Sequence, residues 1–117
     1  MKHGLLVLLL TLVTISCDKT DEIPLLLPPA AEPSAKIYND QGIQFFYNGK
    51  YFDALIAFTQ ASVADSTAGE IHFNLALMQH QQGKKQEAKI HFKQAKKFAN
   101  GNETILASSL LKKYLNQ

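Results

Sequence analysis

The stretch Gly49 to Ala61, GKYFDALIAFTQA, returns in altered form from Gly83 to Ala95, GKKQEAKIHFKQA, 34 residues later. Gly49 pairs with Gly83, Lys50 with Lys84, Ala54 with Ala88, Phe58 with Phe92 and Ala61 with Ala95. The apolar residues inside each copy follow a helical period, so each copy reads as a helix opening just after a glycine turn. A glycine after a preceding helix suits a turn that needs a left-handed backbone, where a side chain would be strained. Alanines at the same places let two antiparallel helices approach closely, and one phenylalanine per copy fills the gap beside them.

Working outward, the pattern predicts helices over residues 35–48, 51–64, 69–82 and 85–98. Asn102 is placed to cap a fifth helix from Glu103 to Leu115, with Glu103 favoured in its first turn by the helix dipole. On that helix Leu106, Ala107, Leu110, Leu111, Tyr114 and Leu115 fall within an arc of about 180°, wider than one packing contact needs. The predicted fold class is all-α. Two units of this kind are fewer than the three or so that normally make a stable stack, which points toward self-association.

A 34-residue period with this grammar resembles the tetratricopeptide (TPR) repeat. The resemblance implies two helix-turn-helix repeats, residues 35–68 and 69–102, and a capping helix at 103–117, together a fragment of a right-handed α-solenoid. In the first repeat Tyr38 takes the usual aromatic position, Gly42 the helix-contact glycine and Phe45 the next large site, followed by Gly49, Ala54, Phe58 and Ala61. In the second, Leu75 and Ala76 replace the leucine-glycine pair, His72 and Gln79 stand where aromatics are usual, and Gly83, Ala88, Phe92 and Ala95 recur. The closing proline is absent from both, with Ser66 and Asn100 in its place. In this family the first helix of each repeat lines a concave, partner-binding groove. Carried over, that groove comprises Lys36, Asn39, Asp40, Ile43, Phe46 and Tyr47, then Glu70, Phe73, Asn74, Leu77, His80 and Gln81. The carboxylate clamp of some members is not reproduced, because Asn39 and Ile43 occupy two of its positions. Ile43, Phe46, Tyr47, Phe73 and Leu77 suit an apolar peptide or amphipathic helix instead. The alternative occupants are the fifth helix or the apolar patch Leu25–Leu27 of the same chain.

The N-terminus reads as a processing signal. Lys2 precedes a nearly unbroken apolar run, Leu5 to Ile15, whose 11 residues fall short of the roughly 20 that cross a bilayer. The run ends in Thr14-Ile15-Ser16-Cys17, which resembles a bacterial lipobox, with Thr14 where an aliphatic residue is usual. The resemblance implies a signal peptide at 1–16 and an acylated Cys17 as the mature N-terminus. That would account for a single cysteine, which can form no internal disulfide. All four prolines, Pro24, Pro28, Pro29 and Pro33, fall in residues 17–34, read as a flexible tether able to hold the domain up to about 50 Å from the bilayer.

Composition excludes more than it selects. Twelve lysines and no arginine against ten acids give a net charge of +2, far from the basic excess of a nucleic-acid binder. Residues 69–100 hold six lysines against Glu70 and Glu87, and Lys85, Lys89, Lys93 and Lys96 or Lys97 recur at helical spacing as one basic stripe. His72, His80 and His91 show no metal-ligand or triad spacing, and the six glycines are scattered singly, so no cofactor, metal or catalytic residue is expected. The reading is a non-enzymatic, membrane-tethered interaction module or assembly adaptor of the bacterial cell envelope. It would be lipid-anchored at Cys17 to the inner or outer membrane and bind another envelope protein or peptide. The competing reading is a structural lipoprotein with its groove buried in a homodimer.

Overall fold

The computed structural model describes residues 20–117, so the expectations for the leader and for Cys17 lie outside the described residues. The described chain is all-α. Its helices are α1 (Pro33–Tyr47), α2 (Tyr51–Ala64), α3 (Gly69–Gln81), α4 (Lys85–Lys97), α5 (Glu103–Leu106) and α6 (Ser109–Leu115).

Helix α1 begins two residues before the sequence pattern places it. Pro33 has a φ preset for the first helical turn and no N–H to leave unsatisfied. Glu32 caps the end by accepting from the Ala35 amide at 2.7 Å. The amides of Ala35 and Ser34 stabilise the ionised carboxylate and hold the Glu32 pKa below its ordinary value.

Both hairpins close with the same turn. After α1, the Gly49 amide bonds the Phe46 carbonyl at 3.0 Å and the Lys50 amide bonds Phe45 at 2.9 Å. After α3, the Gly83 amide bonds His80 at 3.0 Å and the Lys84 amide bonds Gln79 at 2.9 Å. Gly49 and Gly83 have φ of 73° and 74°, in the left-handed region, while nothing stands within 4 Å of where a Cβ would be. Backbone strain alone therefore penalises a side chain there. Gly49→Ala and Gly83→Ala are each expected to lower stability by about 1 kcal/mol. Urea midpoints at unchanged slope would show it, and equal stability of variant and parent would refute the turn argument.

Helix α1 packs antiparallel on α2, α2 on α3, and α3 on α4, while α5 lies over α3 and α4 and α6 returns to α4. Phe58, Phe73, Phe92, Ile71, Leu77 and Met78 are fully buried large side chains, with Ala35, Ala54, Ala61, Ala76, Ala88 and Ala95 at zero exposure among them. Small residues at the crossings let the axes approach and leave the aromatic rings to fill the volume between. Leu75 is buried in the same core, while Tyr38 and Phe45 pack against it half-buried.

Two expectations are corrected. The segment 103–115 is not one helix but two, interrupted at Ala107–Ser108. The buried Ser108 hydroxyl caps a new start by accepting from the Leu111 amide at 3.0 Å. The break allows Ile105 to enter the core from α5 and Leu110, Leu111 and Tyr114 from α6, whereas Leu106 and Ala107 point out. Asn102 does cap α5, through Oδ1 and the Thr104 amide at 2.9 Å. The second concerns the tether: of its two expected dispositions, a flexible linker or an occupant of the groove through Leu25–Leu27, residues 22–27 take the second and are held against the helices at Glu22, Leu25 and Leu27.

Candidate functional site: the groove and its strap

Helix α3 is the centre of the molecule, with twelve of its thirteen residues buried, so its polar side chains must find partners inside the protein. Glu70 accepts from the Asn102 amide group at 3.1 Å, His80 Nδ1 lies 2.7 Å from the Tyr114 hydroxyl, and Gln79 Oε1 accepts from His91 Nδ1 at 2.8 Å. These residues are committed to the fold. Glu70 and His80 therefore leave the set of open groove residues predicted from sequence.

Asn39 on α1 and Asn74 on α3 are both fully buried and face one another across the groove. Asn74 Nδ2 donates to Asn39 Oδ1 at 2.8 Å. Together they hold the backbone of Leu25. The Leu25 amide donates to Asn74 Oδ1 at 2.7 Å, while the Leu25 carbonyl accepts from Asn74 Nδ2 at 2.9 Å and Asn39 Nδ2 at 3.0 Å. Both backbone groups of one residue are thus satisfied by side chains 14 and 49 positions away.

The strap carrying Leu25 is stiffened by its own sequence. Ile23 precedes Pro24 and Leu27 precedes Pro28, and a residue before proline is driven to an extended conformation. In an extended polyproline-type chain side chains return to the same side every third residue. Leu26 is 70% exposed while Leu27, at 6%, is buried in the core, and Pro24 is buried as well. Further up, Glu22 Oε2 accepts from the Leu110 amide at 3.1 Å and so satisfies a free donor in the first turn of α6. A turn closed by the Ala31 amide on the Pro28 carbonyl, 2.9 Å, leads from the strap into α1.

The remaining predicted groove residues divide. Ile43, Phe73 and Leu77 are buried in the core, Lys36 and Asp40 are half-buried, and Gln81 and Tyr47 are exposed. Phe46 is half-buried and packs edge-on against Tyr47, ring centroids 5.2 Å apart, and tilted against Tyr51 at 5.6 Å. An open cavity of about 360 Å³ lies where the strap begins, between Thr20, Asp21 and Glu22 on one side and His80, Ser109 and Lys113 on the other. The strap's backbone reading was not legible in the sequence as such. Its signs there were the apolar patch Leu25–Leu27, already a candidate occupant of the groove, and one asparagine on each of two helices, 35 residues apart and so one place off the 34-residue period.

His72 and His91 are neighbours in the fold, whereas His80 pairs with Tyr114. His72 stacks between His91, at 5.7 Å, and Phe98, at 5.8 Å, and its Nε2 donates to the Ser66 carbonyl at 2.7 Å. Its other nitrogen, Nδ1, is buried without a partner. Burial first, and His72 second, hold the His91 pKa below its ordinary value, so His91 resists charging. Among the described residues no group of three or more His, Cys, Asp or Glu converges as a metal site would require. Lys85, Lys93, Lys96 and Lys97 of the basic stripe are exposed and Lys89 half-buried, with Lys97 Nζ 5.2 Å over the Phe98 ring. No helix among the described residues is long and apolar enough to cross a membrane. No family model, curated protein or solved structure matches the chain.

Proposed function

We propose that this chain is a lipid-anchored protein-interaction module of the bacterial cell envelope, built from two TPR-like hairpins and a two-helix cap. Its groove takes an extended apolar segment, and its mechanism is binding, not turnover. The observation that carries this is the asparagine pair on Leu25. Side chains that satisfy both the N–H and the C=O of one residue recognise an extended backbone whatever its sequence, and the neighbouring apolar core selects for leucine. The chain's own strap occupies that place, so a partner segment has to displace it. The identical turns 34 residues apart support the repeat reading, and the lone cysteine behind an 11-residue apolar run supports the anchor.

Displacement sets the test. With the strap bound in cis, apparent affinity for a partner falls by the fraction of molecules whose groove is open. Leu27→Asp puts a charge into the core site of the strap and should open the groove. A labelled peptide with the sequence of residues 20–29 is then expected to bind the full-chain variant at least about tenfold more tightly than the parent, measured by fluorescence anisotropy. Equal affinities would remove the groove from consideration as a binding site. For the anchor, Cys17→Ser should abolish incorporation of radiolabelled palmitate and move the protein from the membrane to the soluble fraction.

A second reading, a homodimeric structural lipoprotein, is favoured by the side of the molecule away from the strap. Phe52, Ile56 and Val63 are exposed on α2 within about 40° of one another at 100° per residue. Light scattering across a concentration series separates the readings, because a dimer that persists on dilution would consume this ridge.

A further inference from the structure

The path of the strap fixes which end of the molecule the N-terminus leaves from. Helices α1 and α3 run parallel, since each is antiparallel to α2, and the Asn74–Asn39 bond sets these two residues at one height. From that height Tyr47 lies eight residues, or about 12 Å, further along α1, and His80 six residues, or about 9 Å, further along α3. Thr20, Asp21 and Glu22 line the cavity with His80, while Leu25 sits at the asparagines and Glu32 at the start of α1. The strap therefore descends antiparallel to α1 and α3. It enters at the end of the molecule that carries both hairpin turns.

That end is unlike the other. The first turn presents Tyr47, Tyr51 and Phe52, with 62%, 39% and 64% of their surfaces exposed, around exposed Lys50. Phe46 braces two of these rings. The second turn presents exposed Lys84 and Lys85. The acids at this end are Asp53 and Glu87, each in the first turn of the following helix, and Asp21 and Glu22 where the strap enters beside His80. The opposite end is formed by Asp65, Ser66 and Thr67, and by Asn100, Gly101, Asn102 and Glu103, with Val63, Ile37 and Leu106 as its exposed apolar residues and no exposed tyrosine or lysine pair among these turn residues. Aromatic rings with polar edges, flanked by lysines, are the side chains that settle at a bilayer's headgroup layer. Lysine stems can lie along the apolar surface while the ammonium groups reach the phosphates.

We propose that the two hairpin turns form a membrane-facing end, with Tyr47, Tyr51 and Phe52 seated among the headgroups and Lys50, Lys84 and Lys85 on lipid phosphates. The inference rests on acylation at Cys17. Cys17 precedes Thr20 by three positions, so even a fully extended link places the acyl chains within about 11 Å of this end. A domain so closely tied cannot present its opposite end to the bilayer. The helices then stand along the bilayer normal and the strap crosses the groove between membrane and distal end.

The full chain, purified from the bacterial membrane and reconstituted in phosphatidylethanolamine/phosphatidylglycerol vesicles, provides the test. Two variants, Phe52→Cys and Val63→Cys, each carry an environment-sensitive thiol dye; both sites are exposed, and they lie eleven residues, about 16 Å, apart along α2. Acylation blocks Cys17, so the parent chain should take up no dye. The expected result is a blue-shifted dye at position 52 that loses intensity when the lipids carry brominated acyl chains, and an unshifted, unquenched dye at position 63. Equal behaviour of the two sites in a chain whose Cys17 is blocked would overturn the membrane-facing end and leave the anchor standing. Dye uptake by the parent chain would show a free Cys17, and both the anchor and this inference would fall.

Discussion

Asn74→Ala is expected to release residues 20–27 from the groove and to lower stability by about 2–3 kcal/mol. One side chain serves three bonds: it accepts from the Leu25 amide and donates to the Leu25 carbonyl and to Asn39 Oδ1. With the strap seated, truncation would leave the Leu25 amide and Asn39 Oδ1 buried without partners, and the desolvation of those groups, more than the lost bonds themselves, drives the strap out. Hydrogen exchange at the Leu25 amide should accelerate while that of the α2 and α4 core amides is slowed relative to it by the remaining global stability. The contrast with Leu27→Asp is informative. That variant opens the groove and gains the added peptide, whereas Asn74→Ala opens the groove and gains nothing, because the backbone reader is gone. Unchanged exchange at Leu25 would mean that Leu27 and the Glu22 bond to α6 hold the strap by themselves.

Gly42→Ala should cost about 2–3 kcal/mol, the range for overpacking a well-filled core. A Cβ at position 42 would fall 2.4 Å from Phe58 Cε1 and 2.6 Å from Cδ1, and Phe58 is fully buried, so its ring has no free volume to enter. The double variant Gly42→Ala with Phe58→Leu should be more stable than the sum of the single changes predicts, since a smaller side chain removes the collision. Thermal or urea denaturation of the four proteins closes the cycle, and strict additivity would mean that the ring does not abut Gly42. The corresponding place in the second hairpin is Ala76, also fully buried. The demand for glycine thus comes from the local approach of α1 and α2 and not from the period itself.

The helices were legible because their signals are local. The glycines that close both hairpins and the small and large apolar residues spaced along each helix predicted four helices to within two residues at either end. The fifth was misjudged. An apolar arc from Leu106 to Leu115 looks continuous on one helix, yet Ser108 and Ser109 in its middle were the available sign of a second N-cap, and a cap declares itself only when a neighbouring surface rewards the bend. The predicted groove mixed three kinds of residue for a related reason. On a helix covered on nearly every side, periodicity no longer separates an inward face from an outward one, so Glu70, Asn74 and His80 read as surface while tertiary partners had already claimed them.

The amino-acid sequence by itself determined an all-helical chain, the register of its first four helices and the places where they turn, because propensity, glycine conformation and apolar period act over a few residues each. It also showed a stretch dense in proline between an N-terminal apolar run and the first helix. Whether that stretch hung free or packed was outside its reach: proline makes a segment extended, but only a facing surface can decide what an extended segment does. Tertiary structure supplied that surface by bringing Asn39 and Asn74 to one height on parallel helices. There the burial of Leu27 and four hydrogen bonds within the Leu25–Asn39–Asn74 cluster outweigh the entropy of a loose strap.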